Sequence, residues 1–372
     1  MDVFLNRVAT AVPPNDVHAT FVQFAQGLLK GSRSAPVFDR LVARSQIDHR
    51  WSVLTMSDGG RSATVGEDEV YRRGNFPSTA TRMRIFERFA ADLGARAVAG
   101  LGLGDGLRDV THVIAVSCTG LYAPGLDLEL VERCGLDPSV ERTVVGFMGC
   151  YAGINALKLA RHIVRSDPRA RVLIVSVELC TLHLQETTDL EQVLSFLVFG
   201  DGCAAALVTA DPVGLRLDRF HAALLPEASG QITWTIGDGG FNMHLSGQVP
   251  ASVGEALRRG RGRILDGAEV GAIEHWAVHP GGRSVLDAVQ GALALPPEAL
   301  ADSREVLRRY GNMSSATVLF VLQRIMARAR PGERGCAMAF GPGLTAETLL
   351  FAAAPQEAVR GTAERAPERE VA

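Results

Sequence analysis

The 372-residue chain is notable first for what it lacks. Its opening residues, MDVFLNRVATAVPP, contain no long apolar stretch of the kind that forms a secretory signal. No apolar run is long enough to span a bilayer, because the stretch from Val193 to Val208 is broken by Asp201 and several glycines. There is no block of basic residues, and 38 Lys+Arg against 41 Asp+Glu give a net charge of −3, which argues against nucleic acid as a partner. The six cysteines, at 118, 134, 150, 180, 203 and 336, lack CxxC spacing and fall mostly inside apolar runs, so they read as free thiols in a reducing cytoplasm. No histidine grouping is read as a metal site; His183 and His244, in apolar or strand-like stretches, read as satisfied core or pocket histidines. What is abundant is apolar residue and glycine: 47% hydrophobic residues and 39 glycines suit a compact α/β protein of one large or two fused domains.

Two β-rich apolar runs end in turns, THVIAVSCTG (111–120) and IEHWAVHPGG (273–282). Each is followed by a glycine-containing step into a helical run, GFMGCYAGINALKLARHIV or YGNMSSATVLFVLQRIMA, and then by another apolar segment, RVLIVSVEL or RGCAMAFGPG. Ser117 and Cys150 stand 33 residues apart, as do His279 and Asn312, so the two pairs share an offset of 162. This is the pattern of an internal duplication of about half the chain. Strands alternating with helices argue for mostly parallel sheets covered on both faces, and two such halves for a layered αβαβα sandwich. The halves are expected at 1–215 and 216–355, with the charged, alanine-rich tail 356–372 disordered.

Superposing the halves puts Cys150 and Asn312 at matching helix starts and His279 at the end of an inner strand. A cysteine at a helix N-terminus near a histidine can be held as a thiolate–imidazolium pair, a nucleophile near neutral pH. Taken alone, Cys150 reads more readily as a small, buried, inert core thiol.

At these residues the chain resembles the type III polyketide synthases, the chalcone-synthase-like group of the thiolase superfamily. The stretches that carry the resemblance are GFMGCYAG, LVFGDGCAAALV, WAVHPGG, REVLRRYGNMSSATVLFVL and AFGPGLTAE, and they extend from IDHRW at 47–51 to residue 347. The related condensing enzymes that initiate fatty acids also carry Cys, His and Asn, but without these flanking patterns. The resemblance implies a thiolase-like fold of two duplicated halves, with Cys150, His279 and Asn312 as the catalytic set. Cys150 would take an acyl group from a CoA thioester, and His279 and Asn312 would hydrogen-bond the thioester carbonyl of malonyl-CoA as CO₂ leaves. The polyketide would then be cyclised in the same cavity, with no metal or redox cofactor and only acyl-CoA and malonyl-CoA as substrates.

Other positions follow from the same resemblance. Phe199 matches the gatekeeping phenylalanine, and Gly341, Pro342 and Gly343 match the loop that shapes the cyclisation cavity. Arg40 and Arg44, four apart on one helix face, match two basic contacts to CoA phosphates, while Val37 stands where a third would be. Cys118 replaces the threonine of the plant starter pocket, and Met243 replaces a second gatekeeping phenylalanine. Ser195 and Trp234 align with cavity-lining positions, and Ala123 with the methionine that protrudes across the plant dimer. Flexible thiol and thioether walls suit a chain-like starter. The expected activity is extension of an acyl-CoA starter to an alkylresorcinol, alkylpyrone or related product by a homodimer. Three alternatives stand beside it: a malonyl-primed tetrahydroxynaphthalene synthase, a papain-like cysteine hydrolase, and a non-catalytic scaffold of condensing-enzyme fold. The hydrolase lacks support because its C-G-[SA]-C-[WY] signature is absent.

Overall fold

A computed structural model of the chain describes residues 1–57, 62–65, 68–72 and 74–355. The expected disordered tail therefore lies outside the described residues. The first half runs from strand β1 (Phe4–Ala11) through β2 (Asn15–Asp16), helices α1 (His18–Leu29) and α2 (Ala35–Arg44), and β3 (Trp51–Ser52), which pairs with β2. A small antiparallel sheet follows, β4 (Thr55–Ser57), β5 (Ser62–Val65) and β6 (Asp68–Arg72). Then come α3 (Thr79–Gly100), β7 (His112–Ser117), α4 (Leu126–Cys134), β8 (Glu141–Gly146), α5 (Ala152–Ser166), β9 (Val172–Leu179), α6 (Leu190–Val198) and β10 (Asp201–Thr209). The second half begins with β11 (Leu215–Ala223) and a hairpin of β12 (Ile232–Gly237) and β13 (Gly240–Leu245). It continues with α7 (Val249–Ile264), β14 (His275–Val278), α8 (Arg283–Leu293), α9 (Ala301–Tyr310), α10 (Thr317–Met326), β15 (Arg334–Gly341) and β16 (Thr345–Ala353).

The main sheet has nine strands in the order β14-β15-β16-β11-β1-β10-β9-β7-β8. Read outward from the β1–β11 junction, each half repeats the same sequence of partners: β1, β10, β9, β7 on one side and β11, β16, β15, β14 on the other. The registers repeat too. In β7–β9 and in β14–β15 each residue pairs with the one 60 positions later, as His112 with Val172 and His275 with Gly335. Strand β15 follows β9 at an offset of 162, the value read from the sequence. The expectation of mostly parallel sheets is corrected: β7–β8, β7–β9 and β14–β15 are parallel, whereas β1–β10, β9–β10, β1–β11, β11–β16 and β15–β16 are antiparallel. The parallel pairs, connected through helical crossovers, lie toward the two ends of the sheet. Strands β10 and β16, next out from the junction, are buried on both faces, and burial carries no information about strand direction.

Side-chain alternation sorts the core into layers. On β9, Leu173, Val175 and Val177 pack outward under α3, while Val172 and Ile174 face an inner core shared with α5 and α10. On β15, Ala337 and Ala339 face the same inner core, while Cys336, Met338 and Phe340 face an outer core with α7 and α8. The result is five layers, outer helices, sheet, the central α5/α10 layer, sheet and outer helices, with both central helices entering from the region of the site.

Candidate active site

Cys150 sits in a single helical turn, Gly149–Tyr151, immediately before α5. Gly149 has φ +76°, and a Cβ there would lie 2.4 Å from Pro342 Cδ, so only glycine lets the nucleophile turn pack against the Gly341-Pro342 loop. The matching turn of the second half is Ser314–Ala316, an offset of 165 and not 162. Asn312 therefore precedes its helix by three residues more than Cys150 does, a correction to the expected equivalence. The extra residues free its side chain to turn back into the cavity. His279 follows β14 directly, with its backbone N–H donating to Met338 O at 2.7 Å.

All three line one cavity of about 520 Å³, together with Cys118, Ser195, Phe199, Trp234, Met243, Gly341 and Pro342. Gly343 does not line it. Nor do Arg40 and Arg44, which are exposed on α2, although Leu41 between them does. Ala123 is exposed, away from the cavity.

The polar groups around the thiol are ordered by their partners. Asn312 Oδ1 accepts from the Ser314 backbone N–H at 2.8 Å, which fixes the amide's orientation and leaves Nδ2 to the Cys150 sulfur and a long 3.4 Å contact to Gly281 O. His279 is 1% exposed, and neither of its ring nitrogens has a protein partner. The His279 imidazole is thus free to meet a ligand in the cavity that the Asn312 amide also lines. Burial pushes the Cys150 thiol up to about 11 and His279 down to about 3. Loss of hydration in the cavity thus opposes the thiolate–imidazolium pair that the helix start favours. Cys118 and Cys180 also line the cavity, and burial raises both well above the ordinary thiol value, with the Glu178 carboxylate adding to the rise. Hydrogen bonds from Ser314 and Asn312 hold Cys150 lower.

Several residues of the site carried no assignment in the sequence. Glu178, buried on β9, accepts from Thr119 Oγ1 at 2.7 Å, from Cys118 N–H at 3.1 Å, from Cys118 Sγ at 3.2 Å and from Ser315 Oγ. Ser314 Oγ meets Cys118 Sγ at 3.1 Å. The one sequence signal for Glu178 is a lone charge in the apolar run VLIVSVEL. His183 lines the cavity with both nitrogens engaged: Nε2 donates to Thr119 O at 2.7 Å and Nδ1 accepts from Phe241 N–H at 3.0 Å. It is a satisfied pocket histidine, as read. His244 is not: β13 turns Phe241 inward and exposes His244, 3.9 Å from Glu191, a correction that strand alternation explains. His275 and His279 stand four apart, a spacing that converges on a helix but not on β14; His275 instead bonds Glu333 at 2.7 Å.

A duplicated five-layer fold with cysteine, histidine and asparagine around one buried cavity defines a condensing enzyme of thiolase type. The chain belongs to the chalcone and stilbene synthases: the model of their N-terminal domain matches residues 8–212 and that of their C-terminal domain residues 217–355. It is similar to the alpha-pyrone synthesis polyketide synthase-like Pks18 of Mycobacterium tuberculosis, at 33% identity over 300 residues covering 76% of this chain and 75% of the relative. It is also similar to bisdemethoxycurcumin synthase of Oryza sativa subsp. japonica, at 34% identity over 74% of each chain. Among solved structures, PKS-I of the brown alga Ectocarpus siliculosus superposes with a TM-score of 0.82 at 28% identity, covering 95% of this chain and 98% of that one. The protein is a type III polyketide synthase, an acyltransferase; the papain-like hydrolase and the non-catalytic scaffold are both set aside.

Proposed function

We propose that Cys150 carries the growing chain and that His279 and Asn312 activate malonyl-CoA. The observation that carries this reading is the unpartnered imidazole of His279 together with the Asn312 amide that hydrogen-bonds Cys150, both in the cavity that holds the thiol. In the loading step the Cys150 thiol attacks the acyl-CoA carbonyl. His279, a neutral base, takes the thiol proton and returns it to the departing CoA sulfur. Malonyl-CoA then enters with its thioester oxygen between the His279 and Asn312 donors. Loss of CO₂ leaves an enolate they stabilise, and its carbon attacks the acyl–Cys150 carbonyl, extending the chain by two carbons and releasing Cys150 as a thiolate. Thioester chemistry of this kind needs no cofactor beyond the CoA substrates. The nucleophile comes from residues 1–215 and its two partners from residues 216–355, so the site forms only when the halves pack together.

The wall formed by Leu194, Ile232, Met243, Leu245 and Phe340 is apolar and favours an aliphatic starter. With the alpha-pyrone synthesis in the name of the mycobacterial relative, this supports an alkylpyrone, alkylresorcinol or related product. Phe199 serves as the gate between cavity and CoA channel. Cys118, Ser195, Trp234 and the Gly341-Pro342-Gly343 loop shape the cyclisation space, and Arg40 and Arg44 meet CoA phosphates beside Leu41. The enzyme acts in the cytoplasm, a setting that six free thiols support, and no helix among the described residues is long and apolar enough to cross a membrane. It works as a homodimer joined at the open edge of β8.

Incubation of the purified protein with malonyl-CoA and acyl-CoAs of graded length, with products read by mass spectrometry, tests the reading. It expects malonyl-dependent polyketides that depend on the starter and disappear in Cys150→Ala. Tetrahydroxynaphthalene from malonyl-CoA alone would replace the acyl-primed reading with the malonyl-primed one.

A further inference from the structure

The segment 48–51 lines no part of the cavity, yet it grips backbone on both sides of it. The N–H groups of Asp48 and His49 donate to Arg308 O at 2.8 and 3.1 Å, and the Trp51 indole donates to Arg309 O at 3.0 Å. These carbonyls belong to the last turn of α9. Arg50 reaches the other way. Its Nη1 donates to the carbonyls of Phe196 and Phe199, both at 2.7 Å, at the C-terminal end of α6, while Nε donates to His18 Nδ1 at 2.9 Å. The last carbonyls of a helix have no intrahelical donor and carry the negative end of its dipole. That is why a guanidinium only 2% exposed is held there without a salt-bridged carboxylate among the described residues.

The residues that follow these two helix ends are Phe199 and Asn312, and they pair with each other. Asn312 N–H donates to Val198 O at 2.7 Å, and Gly200 N–H donates to Asn312 O at 3.0 Å. Gly311, at φ +68°, makes the crossing possible, since a Cβ there would lie 2.7 Å from Val198 O and 2.9 Å from Arg50 Cγ. Arg50, the α6 end and the α9 end are therefore in direct contact around the backbone of Asn312.

We propose that 48–51 is a positioning clamp, with Arg50 as its pin, that holds Phe199 and Asn312 as one unit and so sets where the Asn312 amide meets the malonyl thioester. The inference rests on the reading of Asn312 as a donor in decarboxylation. His279, the base in loading, hangs from β14, outside the clamp, so loosening the clamp affects decarboxylation more than acyl loading of Cys150.

The test measures two half-reactions of the full-length enzyme: acyl transfer to Cys150, read by intact mass, and conversion of malonyl-CoA to acetyl-CoA. Arg50→Lys keeps the charge but loses the fork; the kcat of decarboxylation should fall roughly 10- to 100-fold, with KM for malonyl-CoA and acyl loading altered by less than about threefold. Trp51→Phe removes only the bond to Arg309 and should shift the same ratio in the same direction by a smaller factor, which keeps the test decisive if Arg50→Lys does not fold. Equal loss of both half-reactions, or an unchanged ratio in both variants, would overturn the clamp. Asn312→Ala runs beside them: a lowered ratio there with unaffected clamp variants overturns the clamp alone, whereas an unchanged ratio in Asn312→Ala overturns the reading of Asn312 and the clamp's function with it.

Discussion

The indole N–H of Trp234 donates to the backbone carbonyl of Cys118 at 2.7 Å, fixing the ring against the cavity wall. His183 and Phe241 meet the same ring edge-on, with centroids 5.3 and 5.7 Å away, so the indole has little freedom to swing aside. It is a rigid limit on the space open to an acyl chain. Trp234→Ala is expected to move starter preference toward longer acyl-CoAs, measured by competition among chain lengths with mass-spectrometric readout. The same change should cost on the order of 2 kcal/mol of stability, less than a wholly buried tryptophan because this one is half-buried.

Titration of the nucleophile separates two pictures of the resting site. With Cys150 pushed up to about 11, the thiolate is a minor species at neutral pH and increases about tenfold per pH unit. Alkylation of Cys150 by iodoacetamide in the free enzyme should therefore rise steadily through pH 6–9. A preformed thiolate–imidazolium pair would give a plateau across that range. Because His279 is neutral above about 3, no inflection is expected near the ordinary histidine value of 6.5.

How much of this was legible in the sequence depends on the kind of information involved. Cys150, His279 and Asn312 stood in distinctive local contexts, and the offset of 162 recurs in β9 and β15. Strand direction was not legible, since β10 and β16 are buried on both faces and show no alternation. Arg50 and Glu178 were missed as site residues for a different reason. Their partners lie up to 149 positions away in sequence, and a buried charge is intelligible only through them. For the protonation of Cys150, a helix start is visible in a sequence, whereas the depth of the cavity that opposes it is not.

Glu178 offers a test of the buried network. Glu178→Ala takes the shared acceptor from the Thr119, Ser315 and Cys118 donors, at about 1–3 kcal/mol for each group left stranded away from water. A clear drop in the urea midpoint with an unchanged slope is expected, and Glu178→Gln, which keeps one acceptor oxygen, should lose less.

The homodimer proposed above places its contact at the edge strand β8. Val144 is 55% exposed, and Leu121 and Met148 stand exposed at 46% and 38% beside it, on an unpaired strand edge. Such an edge is a template for a second copy of the chain. Val144→Glu is expected to shift the sedimentation profile from dimer toward monomer, whereas a wild-type protein already monomeric at micromolar concentration would contradict the proposed interface.

Three thiols, Cys118, Cys150 and Cys180, line the cavity, and the account gives only one of them the work of carrying the chain. Incubation with an acyl-CoA in the absence of malonyl-CoA, followed by intact-mass and peptide mapping, reads this directly. The account predicts a single acyl adduct on Cys150 that malonyl-CoA then discharges into product. An adduct on Cys118 or Cys180, or an adduct on Cys150 that malonyl-CoA leaves untouched, would contradict it.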